Sequence, residues 1–213
     1  CIVAGGLVMT VKTKQRILVT SLALFNELGE PNVTTVDISN EMEISPGNLY
    51  YHYRNKDDIV EHVVALYDQD MARILQAESK LDGLIEHWLF LKLLAEKNWD
   101  YRFIFRDFEN LANKYKNIDR KLGRIQNKLN RCMRDFTVAL ANPDLHIESF
   151  PYLEAQAENM TSIFTRALWQ HPTKTPEDYQ DLLTNTCFQT LLILWPWLGP
   201  QDQRILEELS LNY

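Results

Sequence analysis

Residues 45–60 constrain the fold more than any other part of the chain, because they contain two helix starts only a few residues apart. Ser45 is a favourable N-cap residue and Pro46 suits the first helical position, so the sequence predicts a short helix there. Asn55 and Asp58 have the spacing of a second capping pair. Helix N-termini attract anions, and Lys56 adds a cation at the second start, so both starts are suited to holding phosphate groups.

The composition favours an all-helical protein. Only seven of the 213 residues are glycine, and helix-forming Leu, Ala, Glu, Lys and Gln are frequent. Hydrophobic residues make up 46% of the chain, which is enough for a substantial core. The length fits one large domain or a small domain joined to a larger one. No apolar run reaches the roughly 18 residues that a membrane span needs, so we expect no membrane partner.

The charge balance limits how the chain can bind nucleic acid. A net charge of −7 argues against a protein coated in nucleic acid, because such binding depends largely on phosphate neutralisation. Between residues 10 and 58, five basic residues stand against seven acidic ones. Any DNA contact must therefore depend on helix N-termini and a local cationic edge. That edge comprises Lys12, Lys14, Arg16, Arg54 and Lys56.

The cysteines and the first residues indicate where the chain works. Cys1, Cys132 and Cys187 are odd in number and far apart, a pattern that matches neither a disulfide framework nor a metal site. We therefore expect a cytoplasmic protein in a reducing environment. Residues 1–8 are apolar but lack the cationic start of a signal peptide, and Met9 has the character of an initiator. We interpret residues 1–8 as a leader that is extraneous to the fold.

The first quarter of the chain predicts a compact helical unit. Thr34 and Asp37 form a capping pair at the start of the second short helix, and Glu43 lies in the turn before the Pro46 helix. Three such short helices are too few to support a core, so a long fourth helix is expected to close the unit and connect it to the rest. The predicted helices span residues 12–28, 34–42, 46–53 and 56–78.

The run Leu49-Tyr50-Tyr51-His52-Tyr53, followed by Asn55-Lys56, is highly specific. With Thr34, Thr35, Ile38, Ile44, Ser45 and Ile59 it makes residues 12–60 resemble the N-terminal DNA-binding domain of the TetR family of bacterial transcriptional regulators. The resemblance covers about a quarter of the chain. Glu43 departs from it, since the family has glycine in this turn. That residue must accept an uncommon backbone conformation or alter the angle between the two helices.

The resemblance implies an all-α fold in which a three-helix helix-turn-helix domain, residues 9–58, is joined by a long helix to a regulatory and dimerisation domain, residues 59–213. The third helix would enter the major groove, where Asn48 can pair with an adenine edge and Gly47 allows close main-chain approach. Hydroxyl, imidazole and ammonium groups suit phosphates of any sequence. The implied DNA-binding residues are Thr35, Ser45, Pro46, Gly47, Asn48, Tyr50, His52 and Lys56.

The aromatic residues of this motif have different expected environments. From their spacing with Leu49, we expect Tyr51 and Tyr53 to belong to the core. His52 fits either a phosphate donor or an ordinary surface residue.

An aromatic segment dominates the middle of the chain. Residues 99–108 contain five aromatics interleaved with Arg and Asp, which suits either a ligand pocket or a packed aromatic core. Residues 81–95 are apolar on nearly every side and predict a buried helix. The candidate ligand-binding residues are Trp88, Trp99, Phe103 and Arg106. An apolar or aromatic effector is the first expectation and an amphipathic anion such as an acyl thioester the second; no cofactor or metal is expected.

Residues 118–141 form a sharply amphipathic pattern whose polar face is basic. From residue 114 to residue 134, eight basic residues stand against the single acid Asp119. Such a face is either solvated, or attractive to an anionic ligand or an acidic surface. Cys132 lies on the apolar stripe and is interpreted as a small core residue.

Two late helices, residues 152–169 and 176–198, are richer in apolar residues than one buried face requires. By the family resemblance they would form a four-helix interface between two copies. The implied function is a ligand-responsive homodimeric repressor that binds a palindromic operator. A helical small-molecule-binding protein with weak or lost DNA binding is the alternative. Scattered histidines and the absence of a phosphate loop or nucleophile motif argue against an enzyme.

Overall fold

The computed structural model describes residues 12–147, 150–170 and 176–210, so the predicted leader at residues 1–8 lies outside it. Contacts divide the chain into two compact units, Cys1–Val63 and Val64–Tyr213. Throughout the described ranges the regular structure is helical, and β-type pairing is confined to an isolated bridge between Ala141 and Leu198. The all-α prediction is confirmed. No helix in these ranges is long and apolar enough to cross a membrane.

The first unit contains three helices and the beginning of a fourth, as the sequence predicts. Its core includes Ile17, Phe25, Ile38, Leu49 and Ile59, which are all fully buried. The fourth helix ends before the predicted residue 78 and continues from the first unit into the second. The helices are α1 Thr13–Leu28, α2 Thr35–Glu41, α3 Pro46–His52 and α4 Lys56–Leu75.

Local caps explain why these helices begin where the sequence predicts. The Thr34 hydroxyl accepts a hydrogen bond from the Asp37 amide (3.2 Å), and the Asp37 carboxylate accepts one from the Thr34 amide (2.8 Å). Hydrogen bonds from the Thr34 hydroxyl and amide hold the pKa of Asp37 below its usual value. Ser45 caps α3 by accepting from the Asn48 amide (3.2 Å).

In the described residues, the second unit comprises the rest of α4 and the helices α5 Gly83–Asp100, α6 Phe103–Arg106, α7 Phe108–Lys114, α8 Lys116–Leu140, α9 Leu153–Gln170, α10 Pro176–Leu192 and α11 Pro200–Ser210. Within it α8 packs along α9, α10 packs against both α9 and α5, and α11 packs against α10 and α5. The long amphipathic helix of the basic segment is confirmed as α8.

The structure corrects two predictions about the apolar helices. The last long helix ends at Leu192 and not at residue 198, and Trp195–Trp197 forms a 3-10 turn around a proline that cannot continue an α-helix. Much of its apolar surplus is buried inside the chain, at Leu182, Leu183, Cys187 and Leu191. The helix predicted as buried all round, now α5, instead leaves a stripe exposed. The stripe consists of Ile85, Leu89 and Leu93.

Candidate nucleic-acid interface and ligand cavity

The turn between α2 and α3 is built around Glu43. Its φ of 54° lies in the left-handed region, which confirms that this residue accepts an uncommon conformation. The amide of Ile44 donates to the Ser39 carbonyl (3.0 Å) and that of Glu43 to the Asn40 carbonyl (3.0 Å). This is the usual hydrogen-bond pattern of a helix end at which glycine is the favoured residue. Glutamate in this conformation costs about 1 kcal/mol.

Helix α3 packs against the core of the first unit on one face and is exposed to solvent on the other. Leu49 is fully buried, whereas Pro46, Gly47 and Asn48 are exposed. A Cβ atom added to Gly47 would meet only the Ser45 Oγ, at 3.9 Å, so the fold itself does not require glycine there. The missing side chain leaves room for a partner to approach the main chain closely. The start of α3 therefore has the shape of a recognition surface.

Two predicted phosphate ligands lie together beside α3. The hydroxyl oxygens of Thr35, at the first position of α2, and Tyr50 are 2.8 Å apart and share a hydrogen bond. Both side chains remain accessible to solvent. His52 is partly exposed, and its ring makes an edge contact with Tyr51 at 5.1 Å. Hydroxyl groups on α2 and α3 thus face solvent as one polar cluster.

Tyr51 and Tyr53 have opposite environments. Tyr53 is buried as predicted, and its hydroxyl donates to the Lys14 carbonyl (3.1 Å). Burial raises the pKa of Tyr53 to about 12. Tyr51 is 85% exposed, so its assignment to the core is wrong. Helical spacing distinguishes the two tyrosines, because residues four apart such as Leu49 and Tyr53 share one face of a helix. Tyr51, between them, lies on the opposite face.

Lys56 has a role inside the first unit. Its Nζ donates to the main-chain carbonyls of Glu30 (2.6 Å) and Val33 (2.8 Å), and it lies 3.0 Å from the Glu30 carboxylate. The Glu30 side chain is only 1% exposed. An ammonium group has three donors, and three internal acceptors already surround this one. The geometry therefore does not support the predicted phosphate contact by the Lys56 side chain.

Arg54 is the more accessible cation of this edge. Its side chain is 89% exposed, with the guanidinium Nε 3.8 Å from the Asp58 carboxylate. That carboxylate also accepts from the Arg54 amide (3.0 Å), while Asn55 caps α4 by accepting from the Asp58 amide (2.9 Å). Ion pairs as exposed as this one are weak, so a phosphate can compete for the guanidinium. Lys12, Lys14 and Arg16 are also exposed.

The four residues predicted to bind a ligand are used mainly in packing. Trp88 and Phe103 are buried. The Trp99 ring lies 4.8 Å from the Tyr179 ring and 4.8 Å from the Arg102 guanidinium. Arg106 lies 3.6 Å from the carboxylate of its neighbour Asp107. None of the four predicted residues lines the apolar cavity of the second unit.

That cavity has a volume of about 230 Å³ and a largely apolar lining. The aromatic segment contributes to it through Phe105 and Phe108, two of its five aromatics that were not among the four candidate ligand-binding residues. Tyr67 of α4 also lines it, and this hydroxyl donates to the buried Asn98 amide oxygen (2.8 Å). Its lining further includes Ile104, Leu122, Ile125 and Thr165.

Gly123 lies at this cavity in the middle of α8, a helix of 25 residues. A glycine inside a helix costs about 1 kcal/mol relative to alanine. No heavy atom lies within 4 Å of a Cβ atom added to Gly123, so crowding does not explain the glycine. A larger side chain would instead narrow the cavity mouth. In the sequence, a lone glycine inside an amphipathic helix is the feature that could have indicated this side of the cavity.

The described residues contain no group of three or more His, Cys, Asp or Glu side chains able to hold a metal ion.

Family comparisons account for most of the chain. Residues 66–206 match the TetR family model, described as bacterial transcriptional repressor, and residues 17–63 match the model of bacterial regulatory proteins of the tetR family. The chain belongs to the TetR family. It is a DNA-binding transcriptional regulator of this family, and α2 and α3 form its helix-turn-helix.

Individual relatives of this chain are also transcriptional regulators. The chain is 26% identical, over 145 residues, to the biofilm operon icaADBC negative transcriptional regulator IcaR of Staphylococcus epidermidis, covering 66% of this chain and 69% of IcaR. A TetR-family regulator from Marinobacter aquaeolei VT8 has a similar structure, with a TM-score of 0.82, 28% identity and coverage of 95% and 99% of the two chains. A transcriptional regulator (TerR/AcrR family) from Aquifex aeolicus VF5 shares the fold at a TM-score of 0.63 and 18% identity, over 85% and 99%.

Proposed function

We propose that this TetR-family regulator is a homodimeric repressor that leaves a palindromic operator when a small molecule fills the cavity. The observation that carries the DNA-binding half is the exposed start of α3, held in place by buried Leu49. Repression is supported by the relative IcaR, which is a negative transcriptional regulator. Such a protein would act in the cytoplasm, where the DNA is accessible.

The exposed groups support a division of labour on DNA. Asn48 has the amide needed to pair with an adenine edge. Pro46 and Gly47 add little side-chain bulk, so the main chain at the start of α3 can approach the major groove closely. The Thr35 and Tyr50 hydroxyls, with Ser45 and His52 as further polar groups of the edge, suit phosphate oxygens. Arg54 replaces Lys56 as the side-chain cation next to α4.

A single DNA-binding unit of this kind would bind weakly, because it carries few accessible cations. Two units on one palindrome would double the phosphate contacts and fix the half-site spacing. We place the dimer contact on α9 and α10. On α10, Phe188 is partly exposed and Leu192, four residues later, is 43% exposed, which leaves apolar surface for a partner helix.

The coupling between ligand and DNA would run through α4. This helix begins with Lys56 in the first unit and extends to Leu75 in the second, where its Tyr67 lines the cavity. A guest that displaces Tyr67 would shift α4. The shift would change the separation of the two α3 helices in the dimer, so that they no longer fit successive major grooves.

A matched pair of cavity variants tests this function. Small molecules would first be screened against the full chain by thermal shift, and hits would be titrated into a gel shift on DNA upstream of the protein's own gene. We expect hits to weaken a specific, salt-sensitive complex. Gly123→Leu should retain DNA binding but lose both responses, whereas Gly123→Ala should keep them.

Two results would contradict the proposal at different points. Absence of a specific complex at low salt would favour a small-molecule-binding protein without an operator. A ligand that needs an open cavity but leaves operator affinity unchanged would remove the proposed coupling through α4.

A further inference from the structure

We infer that the cavity selects organic cations, meaning molecules with an aromatic or compact alkyl body and a quaternary or protonated nitrogen. The inference rests on the proposed function, in which this cavity is the effector site. It replaces both earlier expectations about the effector, a purely apolar molecule and an amphipathic anion.

Charge is distributed unevenly around α8. Among the described residues that line the cavity, Asp119 alone is charged. It is also the only acid between residues 114 and 134, a segment with eight basic residues. Asp119, Gly123 and Gln126 are exposed, whereas Leu122 and Ile125 behind them are buried, so Asp119 lies at the cavity rim.

Helix geometry separates the cavity-lining face of α8 from the basic residues that follow Asp119. At about 100° per residue, the cavity-lining positions of α8 fall within one half of the helix circumference. The basic positions between residues 120 and 134 fall on the other half. Arg124, on that second half, lies 3.9 Å from the Asp68 carboxylate. The basic residues between 120 and 134 therefore face away from the cavity.

Aromatic rings make up part of the cavity lining. Tyr67, Phe105 and Phe108 contribute three rings, and the Tyr67 and Phe105 ring centroids lie 6.1 Å apart in an edge-to-face arrangement. The negative face of an aromatic ring attracts a cation more strongly than a neutral group of the same shape. Aromatic rings inside and one carboxylate at the rim make a combination that favours a positively charged head on an apolar body.

Three probes of matched shape test the inference. Phenyltrimethylammonium is a cation, tert-butylbenzene is its neutral isostere, and benzenesulfonate is an anion of similar size. Isothermal titration on the full chain should give the cation at least a fivefold tighter Kd than the other two. Asp119→Asn should reduce cation affinity roughly fivefold, the effect expected of a partly exposed charge pair. Asp135→Asn, an exposed carboxylate on the opposite face of α8, should change nothing.

Each other outcome has a definite meaning. Equal binding of all three probes, tighter binding of benzenesulfonate, or no effect of Asp119→Asn would overturn the cation preference. Failure of every probe to bind would overturn it as well, since these compounds are small enough for a cavity of about 230 Å³. The proposed repressor function is judged separately by the operator complex of the wild-type chain without ligand, which none of these titrations measures.

Discussion

Replacing Lys56 by methionine should destabilise the first unit without removing a DNA contact. Methionine keeps much of the side-chain volume but cannot donate to the Glu30 and Val33 carbonyls or pair with the Glu30 carboxylate. Glu30 is almost completely buried, so its carboxylate would remain in the interior with fewer partners. The expected effect is thus on folding.

The structure sets the magnitude of this effect. Breaking a buried ion pair by removing one partner costs about 3–5 kcal/mol, and the partial exposure of Lys56 places the expected loss near the lower end, at about 3 kcal/mol. A unit of about 60 residues has a stability of roughly 6 kcal/mol at 0.1 kcal/mol per residue. Lys56→Met should therefore remove about half of the stability of the first unit.

The distribution of tryptophan allows the two units to be observed separately. All five tryptophans, from Trp88 to Trp197, belong to the second unit. In urea unfolding, Lys56→Met should lower the midpoint of the early loss of helical circular dichroism while leaving the tryptophan fluorescence midpoint nearly unchanged. Lys12→Met, which removes an exposed cation, should change neither midpoint. A Glu30→Gln/Lys56→Met double variant should recover part of the loss.

A specific pair of results would contradict the structural role of Lys56. If Lys56→Met left the unfolding midpoint unchanged and reduced the slope of log K against log salt by about 0.9, the ammonium group would contact a phosphate. The internal hydrogen bonds would then be replaced on binding, and the sequence interpretation of Lys56 would be correct.

Three further predictions follow from the described contacts. Asn48→Ala should relax sequence preference at one base pair, whereas Tyr50→Phe should weaken binding to all sequences about equally; a gel-shift series on single-base operator variants distinguishes the two. Burial lowers the pKa of His87, so the stability that its neutral form contributes is present above the unfolded pKa of about 6.5 and is lost as the pH falls below it. The urea midpoint detected by tryptophan fluorescence should therefore be lower at pH 5.5 than at pH 7.5. This difference should be smaller in His87→Gln. Burial raises the pKa of Cys187 to about 12 and that of Cys132 still further, so a Cys1→Ser protein should react with Ellman's reagent at pH 8 only after unfolding.

Local sequence signals predicted the first unit well because its boundaries are set by local contacts. The Thr34–Asp37 and Ser45–Asn48 hydrogen bonds each join residues three apart, so a cap is visible in a short window of sequence. The same holds for the uncommon conformation of Glu43, which was implied by a missing glycine.

Long-range contacts explain what the sequence could not show. The basic character of Lys56 and its place at a helix start suggested a phosphate contact, but its actual partner Glu30 lies 26 residues earlier. In the aromatic segment, the composition suited either a cavity or a packed core and did not show which aromatic side chains would line a cavity. Phe105 and Phe108 line it, while Phe103 is buried elsewhere. The remaining walls come from α4, α8 and α9, and only tertiary packing brings these together.

The left-handed Glu43 also bears on how such a regulator acquires new targets. A new operator sequence requires new residues on the exposed face of α3, and most substitutions reduce stability to some degree. Glu43→Gly would relieve about 1 kcal/mol of backbone strain at a position that is outside α3 and exposed. One substitution in the turn can therefore compensate for a destabilising change in the recognition helix, so that binding specificity can evolve while the first unit stays folded.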